Sequence, residues 1–144
     1  MRSRIPVRRK RRVVPDAGPG LSWDDRAVSR TVLIVDDHDG FRAGARALLE
    51  ADGFEVLGEA ADGAAALEAV RRLGPEVVLL DVQLPGIDGF AVAERLAALA
   101  DPPAVVLISS RGPDSYRPQL ATSPVRGFIA KGELSGECLA GLVC

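Results

Sequence analysis

Asp36, Asp37, Asp81, Ser109 and Lys131 each stand at, or just past, the end of a short apolar run. TVLIVD closes on Asp36 with Asp37 next, VVLLD closes on Asp81, VVLIS closes on Ser109, and Lys131 follows GFIA. Three carboxylates, a hydroxyl and an ammonium are the groups that hold a divalent cation beside a phosphoryl group. Two adjacent carboxylates repel one another, which favours a bound cation or protonation. Mg²⁺ suits such a pair, because it takes oxygen ligands and binds through one or two carboxylates plus phosphate oxygens. Asp81 is the candidate nucleophile, since a carboxylate can attack phosphorus and form an aspartyl phosphate. The obstacle is an anion approaching an anion. Mg²⁺ and the Lys131 ammonium offset that repulsion, and such electrostatic terms dominate phosphoryl transfer. Lys131 is one of two lysines in the chain, the other being Lys10. Ser109 can donate its hydroxyl to a phosphoryl oxygen. His38, the single histidine, reads as an exposed loop residue. The plain alternative for Asp36-Asp37 is a turn into a helix capped by Asp39.

The elements that must bring these residues together alternate. Strands are expected at about 31–36, 54–59, 76–81, 104–109 and 125–130, rich in Val, Ile and Leu as strands covered on both faces are. Helical spacing groups Phe41, Ala45, Leu48 and Leu49, then Ala66, Leu67, Val70 and Leu73, then Phe90, Ala93, Leu96 and Ala97. Gly53 and Gly74 suit helix C-termini, and Asp62 and Asp88 suit N-caps. Strict alternation with right-handed crossovers implies an α/β fold: a doubly wound parallel sheet with helices on both faces. Five strands favour the flavodoxin-like order 2-1-3-4-5, in which ligand groups gather at the carboxyl ends of the strands. Pro113, Pro118 and Pro124 predict a short or distorted fourth helix, because Pro118 removes a backbone donor. A last helix is expected from about Glu133.

The 144 residues suit one domain, read as 31–144, behind a basic extension at 1–30. Residues 1–30 carry nine Lys/Arg against three Asp, while the rest of the chain carries nine against 17 acidic residues. The Arg8–Arg12 cluster and the prolines and glycines around it show no hydrophobic period, so the extension is expected to be disordered. A weak contact with nucleic acid or an anionic surface is the functional alternative. Met1 is the one methionine, and a valine codon such as that of Val28 is a second candidate start. No apolar run approaches the roughly 18 residues of a membrane span, and the head lacks the apolar core of a signal peptide. A cytoplasmic location is expected. Cys138 and Cys144 lack metal-site spacing and read as reduced, with Cys138 packed on a helix face as a small apolar residue.

Taken together, VLIVDDH, LLDVQLPGIDG, VVLISS and GFIAK resemble the receiver domain of two-component response regulators over residues 31–144. The separations are 45 residues from Asp36 to Asp81, 28 to Ser109 and 22 to Lys131, as in that family. VDDH and GFIAK look most like the subclass usually joined to a helix-turn-helix DNA-binding domain, and no such domain is expected here. The resemblance implies a phosphorelay role: Asp81 as phosphoacceptor, charged by a sensor histidine kinase. It implies Mg²⁺ bound by Asp36, Asp37, Asp81 and the backbone carbonyl of Gln83. Ser109 and Lys131 would hold the phosphoryl group, and Phe128 falls at the aromatic switch position. Pro85, Gly86 and Gly89 match the turn after the phosphorylated strand, and Gln83 and Arg111 flank the site. Gly132 stands where many members have proline, and Ile87 where methionine is frequent. Pro118 disturbs the element that normally helps form the responsive face.

Four functions compete on these residues. The leading one is a phosphoacceptor switch that aids its own phosphorylation and dephosphorylation without being an enzyme, and signals to an unknown downstream protein. A receiver-like interaction module that is never phosphorylated is the second. A phosphohydrolase of the haloacid-dehalogenase type is the third, but it wants an acid two residues after the nucleophile, where Gln83 stands. The last is the remnant of a DNA-binding regulator. DNA binding is not expected without an output domain.

Overall fold

The computed structural model describes residues 30–143. The expected extension at 1–30 falls, but for Arg30, outside those residues, as does Cys144. Five strands, β1 (Thr31–Val35), β2 (Glu55–Ala60), β3 (Val77–Asp81), β4 (Ala104–Ser109) and β5 (Gly127–Ala130), form one parallel sheet in the order β2-β1-β3-β4-β5. The α-helices are α1 (Asp39–Ala51), α2 (Gly63–Leu73), α3 (Gly89–Ala97), α4 (Arg117–Thr122) and α5 (Gly136–Val143). This is the expected doubly wound architecture. Alternation along each strand divides the sheet between two cores. Leu33, Val35, Val78, Leu80 and Leu107 face α2 and α3, meeting Ala66, Val70, Val92 and Leu96. Val32, Ile34, Leu79, Val106 and Ile108 face α1 and α5, meeting Ala45, Leu49 and Leu139. Every residue of β3 is buried, as the central strand of a covered sheet must be.

Local chemistry sets the element ends. Asp62 and Asp88 cap α2 and α3, accepting from the backbone N–H of Ala65 and Ala91. Gly74 ends α2 in the left-handed region at φ 62°. The first helix starts differently from the Asp39-cap alternative: His38 holds the cap position with no side-chain bond, and Asp39 is the first helical residue.

Four expectations need correction. Ala97 is exposed, and Val92 takes its place in the core of α3. Cys138 is exposed too, so it does not pack as an apolar residue. The last helix begins at Gly136, because Lys131–Glu133 forms a separate 3₁₀ turn. β5 begins at Gly127 rather than 125, with Arg126 reaching the sheet through its N–H to the Val105 carbonyl. The fourth helical segment is broken as expected, into a 3₁₀ turn over Pro113–Tyr116 and the six residues of α4. Pro118 sits in the first turn of α4, where a missing N–H costs little. No helix among the described residues is long and apolar enough to cross a membrane.

Candidate functional site

Parallel register carries the polar strand ends to one edge. Asp81 pairs in register with Ile108, the residue before Ser109, and Ser109 pairs with Ala130, the residue before Lys131. Asp36 follows β1, whose Val35 lies beside Leu80. The sheet buries what it delivers: Asp36 is 0% exposed, Asp81 3% and Ser109 1%.

Lys131 ties the acidic groups together. Its ammonium lies 2.6 Å from Asp36 Oδ2 and 3.3 Å from Asp81 Oδ2, over the face of the Phe41 ring at 4.6 Å from the centroid. A cation over an aromatic face is held electrostatically, and Phe41 thereby shields one side of the ammonium from water. The loop backbone completes the carboxylates. His38 N–H donates to Asp36 Oδ1 at 2.8 Å, and Gln83 N–H donates to Asp81 Oδ1 at 3.2 Å.

The two buried carboxylates titrate in opposite directions. For Asp36, burial alone would raise the pKa, but the Lys131 contact and the His38 N–H outweigh it and hold it below the usual value. Asp81 is pushed up by burial and by the negative charge of Asp36, which Gln83 and the more distant Lys131 offset only in part. Burial works against the Lys131 ammonium, yet its contacts with Asp36 and Asp81 raise its pKa, so it stays charged.

One ligand atom from each of Asp36, Asp37, His38 and Asp81 lies within 4.8 Å of the others. Asp36 Oδ2 is buried with no hydrogen bond; its 2.6 Å approach to Lys131 is an ion pair lacking hydrogen-bond geometry. The buried Asp36 carboxylate beside those of Asp37 and Asp81 is a donor set that fits a hard, oxygen-seeking cation. His38 is exposed as expected, with a side chain 72% accessible, but its Nδ1 lies 3.2 Å from Asp36 Oδ1 and 3.1 Å from Asp37 Oδ1.

The turn after β3 wraps closely. Gly86 has φ 81°, a backbone region other residues rarely adopt. At Gly89 a Cβ would collide with the Asp81 carbonyl and lie 2.8 Å from Val82 Cα, so only glycine lets α3 start against the end of β3. Gln83 is exposed, and Arg111 is exposed while its N–H donates to Ser109 Oγ at 3.0 Å. Phe128 is half-buried with its ring 6.0 Å from that of Tyr116.

Two residues escaped the sequence reading. Tyr116, the single tyrosine, is buried and its hydroxyl lies 3.0 Å from Ser109 Oγ. Its position seven residues past Ser109, in a proline-rich stretch without helical period, gave no sign that it turns inward. Arg42 Nη1 donates to the Asp36 carbonyl at 2.6 Å and its Nε donates to Glu59 at 3.0 Å. Its place beside Phe41 on the first helix was legible, but its reach to β2 was not.

A family profile described as response regulator receiver domain matches residues 32–140. BvgA of Bordetella pertussis, whose name makes it a transcription regulator of virulence factors, is 37% identical over 102 residues, which are 71% of this chain and 49% of BvgA. The response regulator GacA of Pseudomonas viridiflava is 37% identical over 102 residues, 70% of this chain and 48% of GacA. The chain thus spans about half the length of the curated relatives it matches. Among solved structures, the signal receiver domain of NarL from Mycobacterium tuberculosis superposes with a TM-score of 0.69 at 36% identity, covering 79% of this chain and 96% of that one. With its sheet order, its acidic strand ends and these relatives all agreeing, the chain belongs to the receiver domain family of two-component response regulators.

Proposed function

We propose that this chain is a phosphoacceptor switch in which Asp81 takes a phosphoryl group from the phosphohistidine of a sensor histidine kinase. A carboxylate oxygen of Asp81 forms the new bond to phosphorus as the phosphorus–nitrogen bond breaks, and the imidazole keeps the electron pair and takes up a proton. Asp36, Asp37, Asp81 and the Gln83 carbonyl are the residues that would hold Mg²⁺; once bound, the ion neutralises charge on the phosphoryl oxygens. Lys131 supplies a fixed positive charge beside Asp36 and Asp81, and Ser109 would donate its hydroxyl to a phosphoryl oxygen. The observation that carries the reading is the buried Asp81 carboxylate, 3.3 Å from the Lys131 ammonium and grouped with Asp36 and Asp37.

Signalling follows from differential contacts. A phosphoryl group on Asp81 draws Ser109 toward it, and Phe128 and α4 respond as a two-state unit. In this reading the protein turns over no external substrate, acts in the cytoplasm, and passes its signal on by contact with a downstream protein. Residues 31–144 form the receiver, and residues 1–30 a basic extension. A second reading is favoured by the relatives' lengths. Since the chain spans 49% of BvgA, it also suits the receiver half of a DNA-binding regulator. The chemistry is the same in both.

Acetyl phosphate with Mg²⁺ tests the proposal by intact-protein mass. The wild type gains one phosphoryl group and Asp81→Asn gains none. Equal uptake by Asp81→Asn overturns the assignment.

A further inference from the structure

Ser109 Oγ has one proton and two lone pairs to distribute. Arg111 N–H occupies one lone pair at 3.0 Å. The Tyr116 hydroxyl lies 3.0 Å away with both residues buried, and either oxygen can serve as donor in the resting protein. Two further aromatic rings fix where that phenol sits. Tyr116 packs against Phe90 at 5.8 Å between centroids and against Phe128 at 6.0 Å. Of these three rings only Tyr116 carries a hydroxyl, so only it can bond to the serine.

We propose that Tyr116 is a positioning residue for the phosphoryl-bound state, donating its phenolic proton to Ser109 Oγ so that the serine proton is aimed at the phosphoryl group. The inference rests on the phosphoacceptor reading of Asp81. When Ser109 gives its proton to a phosphoryl oxygen and accepts from Arg111, its remaining lone pair can only accept. Tyr116 then has one available direction, that of donor. The ambiguous pair of the resting state becomes an ordered chain running from phenol to serine to phosphoryl oxygen. Without the phenol, one lone pair of the serine hydroxyl is left unfilled in a buried place, which costs free energy.

The surroundings give the phenol somewhere else to go. Tyr116 lines a cleft of about 540 Å³ together with Asp37, Gln83, Phe90 and Gln119. Tyr116 thus touches both the serine and open space beside Asp37. The phosphoryl-bound state would hold it inward and so hold the 3₁₀ turn and the start of α4 against the sheet.

A double-mutant cycle tests this with beryllofluoride and Mg²⁺ as the phosphoryl mimic, in wild type, Tyr116→Phe, Ser109→Ala and the double variant. Binding is followed by ¹⁹F NMR. Tyr116→Phe keeps the ring and should weaken binding about 3- to 10-fold when Ser109 is present. In the Ser109→Ala background the same change should cost less than about twofold, because the two residues act as one unit. A change below twofold with Ser109 present overturns the proposal, and so does an equal penalty in both backgrounds, which would mean that Tyr116 acts by packing alone. If the wild type itself binds no beryllofluoride, the phosphoacceptor reading fails first. Should Tyr116→Phe not fold, the single tyrosine gives a second readout. Its ¹³Cζ resonance should shift on beryllofluoride binding in the wild type and shift less in Ser109→Ala, whereas no wild-type shift overturns the proposal.

Discussion

Lys131 and the carboxylates it touches show how one residue can be two things at once. In the resting protein the ammonium neutralises Asp36 and Asp81; in the proposed phosphorylated form it meets the phosphoryl oxygens. Its removal should therefore act in opposite senses on two measurements. A unit charge about 4 Å away is worth about 1 kcal/mol even at the dielectric of water. Lys131→Ala should accordingly tighten Mg²⁺ binding about fivefold by calorimetry, while slowing phosphoryl uptake from acetyl phosphate. Weaker Mg²⁺ binding in that variant would show that the ammonium organises the carboxylates rather than competing for them. At this scale the sequence was most informative. Aspartates, serine and lysine at the ends of apolar runs gave the site, because a parallel sheet turns strand ends into neighbours. Tyr116 was opaque for the opposite reason, since its inward turn depends on a 3₁₀ segment with no periodic signature.

Elements position the site through a few close approaches and ion pairs. Gly89 allows α3 to begin against the Asp81 carbonyl, so Gly89→Ala should destabilise the fold by about 1–3 kcal/mol in urea unfolding. A change under about 0.3 kcal/mol would mean that the turn after β3 yields freely. On the other side of the sheet, Glu59 of β2 accepts from Arg46 at 2.7 Å and from Arg42 at 3.0 Å, and Arg42 also holds the Asp36 carbonyl. The hydrogen bond from Arg46, then that from Arg42, keeps the Glu59 carboxyl below its ordinary value of 4.5 despite some burial. A depressed folded-state pKa contributes stability above the unfolded value, and that stability is lost as pH falls through the folded one. Glu59→Gln should therefore cost about 0.5–1 kcal/mol near neutrality, and nothing once both forms are protonated in acid. A cost unchanged between pH 7 and acid would assign the effect to packing. Strand positions were legible from their apolar runs, and so were the caps at Asp62 and Asp88. Long-range ties were not. Asp52 accepts from the Gly136 N–H 84 residues away, and no local pattern announces where α5 starts or that it is fastened there.

At the scale of the whole molecule, the sheet concentrates buried carboxylates at one edge, where a bound cation stabilises the folded form. Mg²⁺ that binds only the folded form at ten times its dissociation constant adds about 1.4 kcal/mol. A thermal midpoint rise of roughly 3–8 °C is expected for a chain of this size. Asp37→Ala should remove most of that rise, and an unchanged rise would put the cation elsewhere. The fold class and strand order followed from alternation alone, since five strands with helices between them leave few right-handed arrangements. The packing of the second half did not. Prolines at 113, 118 and 124 announced an irregular segment, but which side chain it would bury depended on the space left between Phe90 and Phe128.

The central claim is that a phosphoryl group is carried by Asp81 itself. Borohydride reduces an aspartyl phosphate to homoserine, which marks the modified residue permanently. After treatment with acetyl phosphate and Mg²⁺, peptide mass spectrometry should find homoserine at position 81 and aspartate at 36 and 37. Homoserine at 36 or 37, or at none of the three in a protein that has taken up phosphate, would contradict the account.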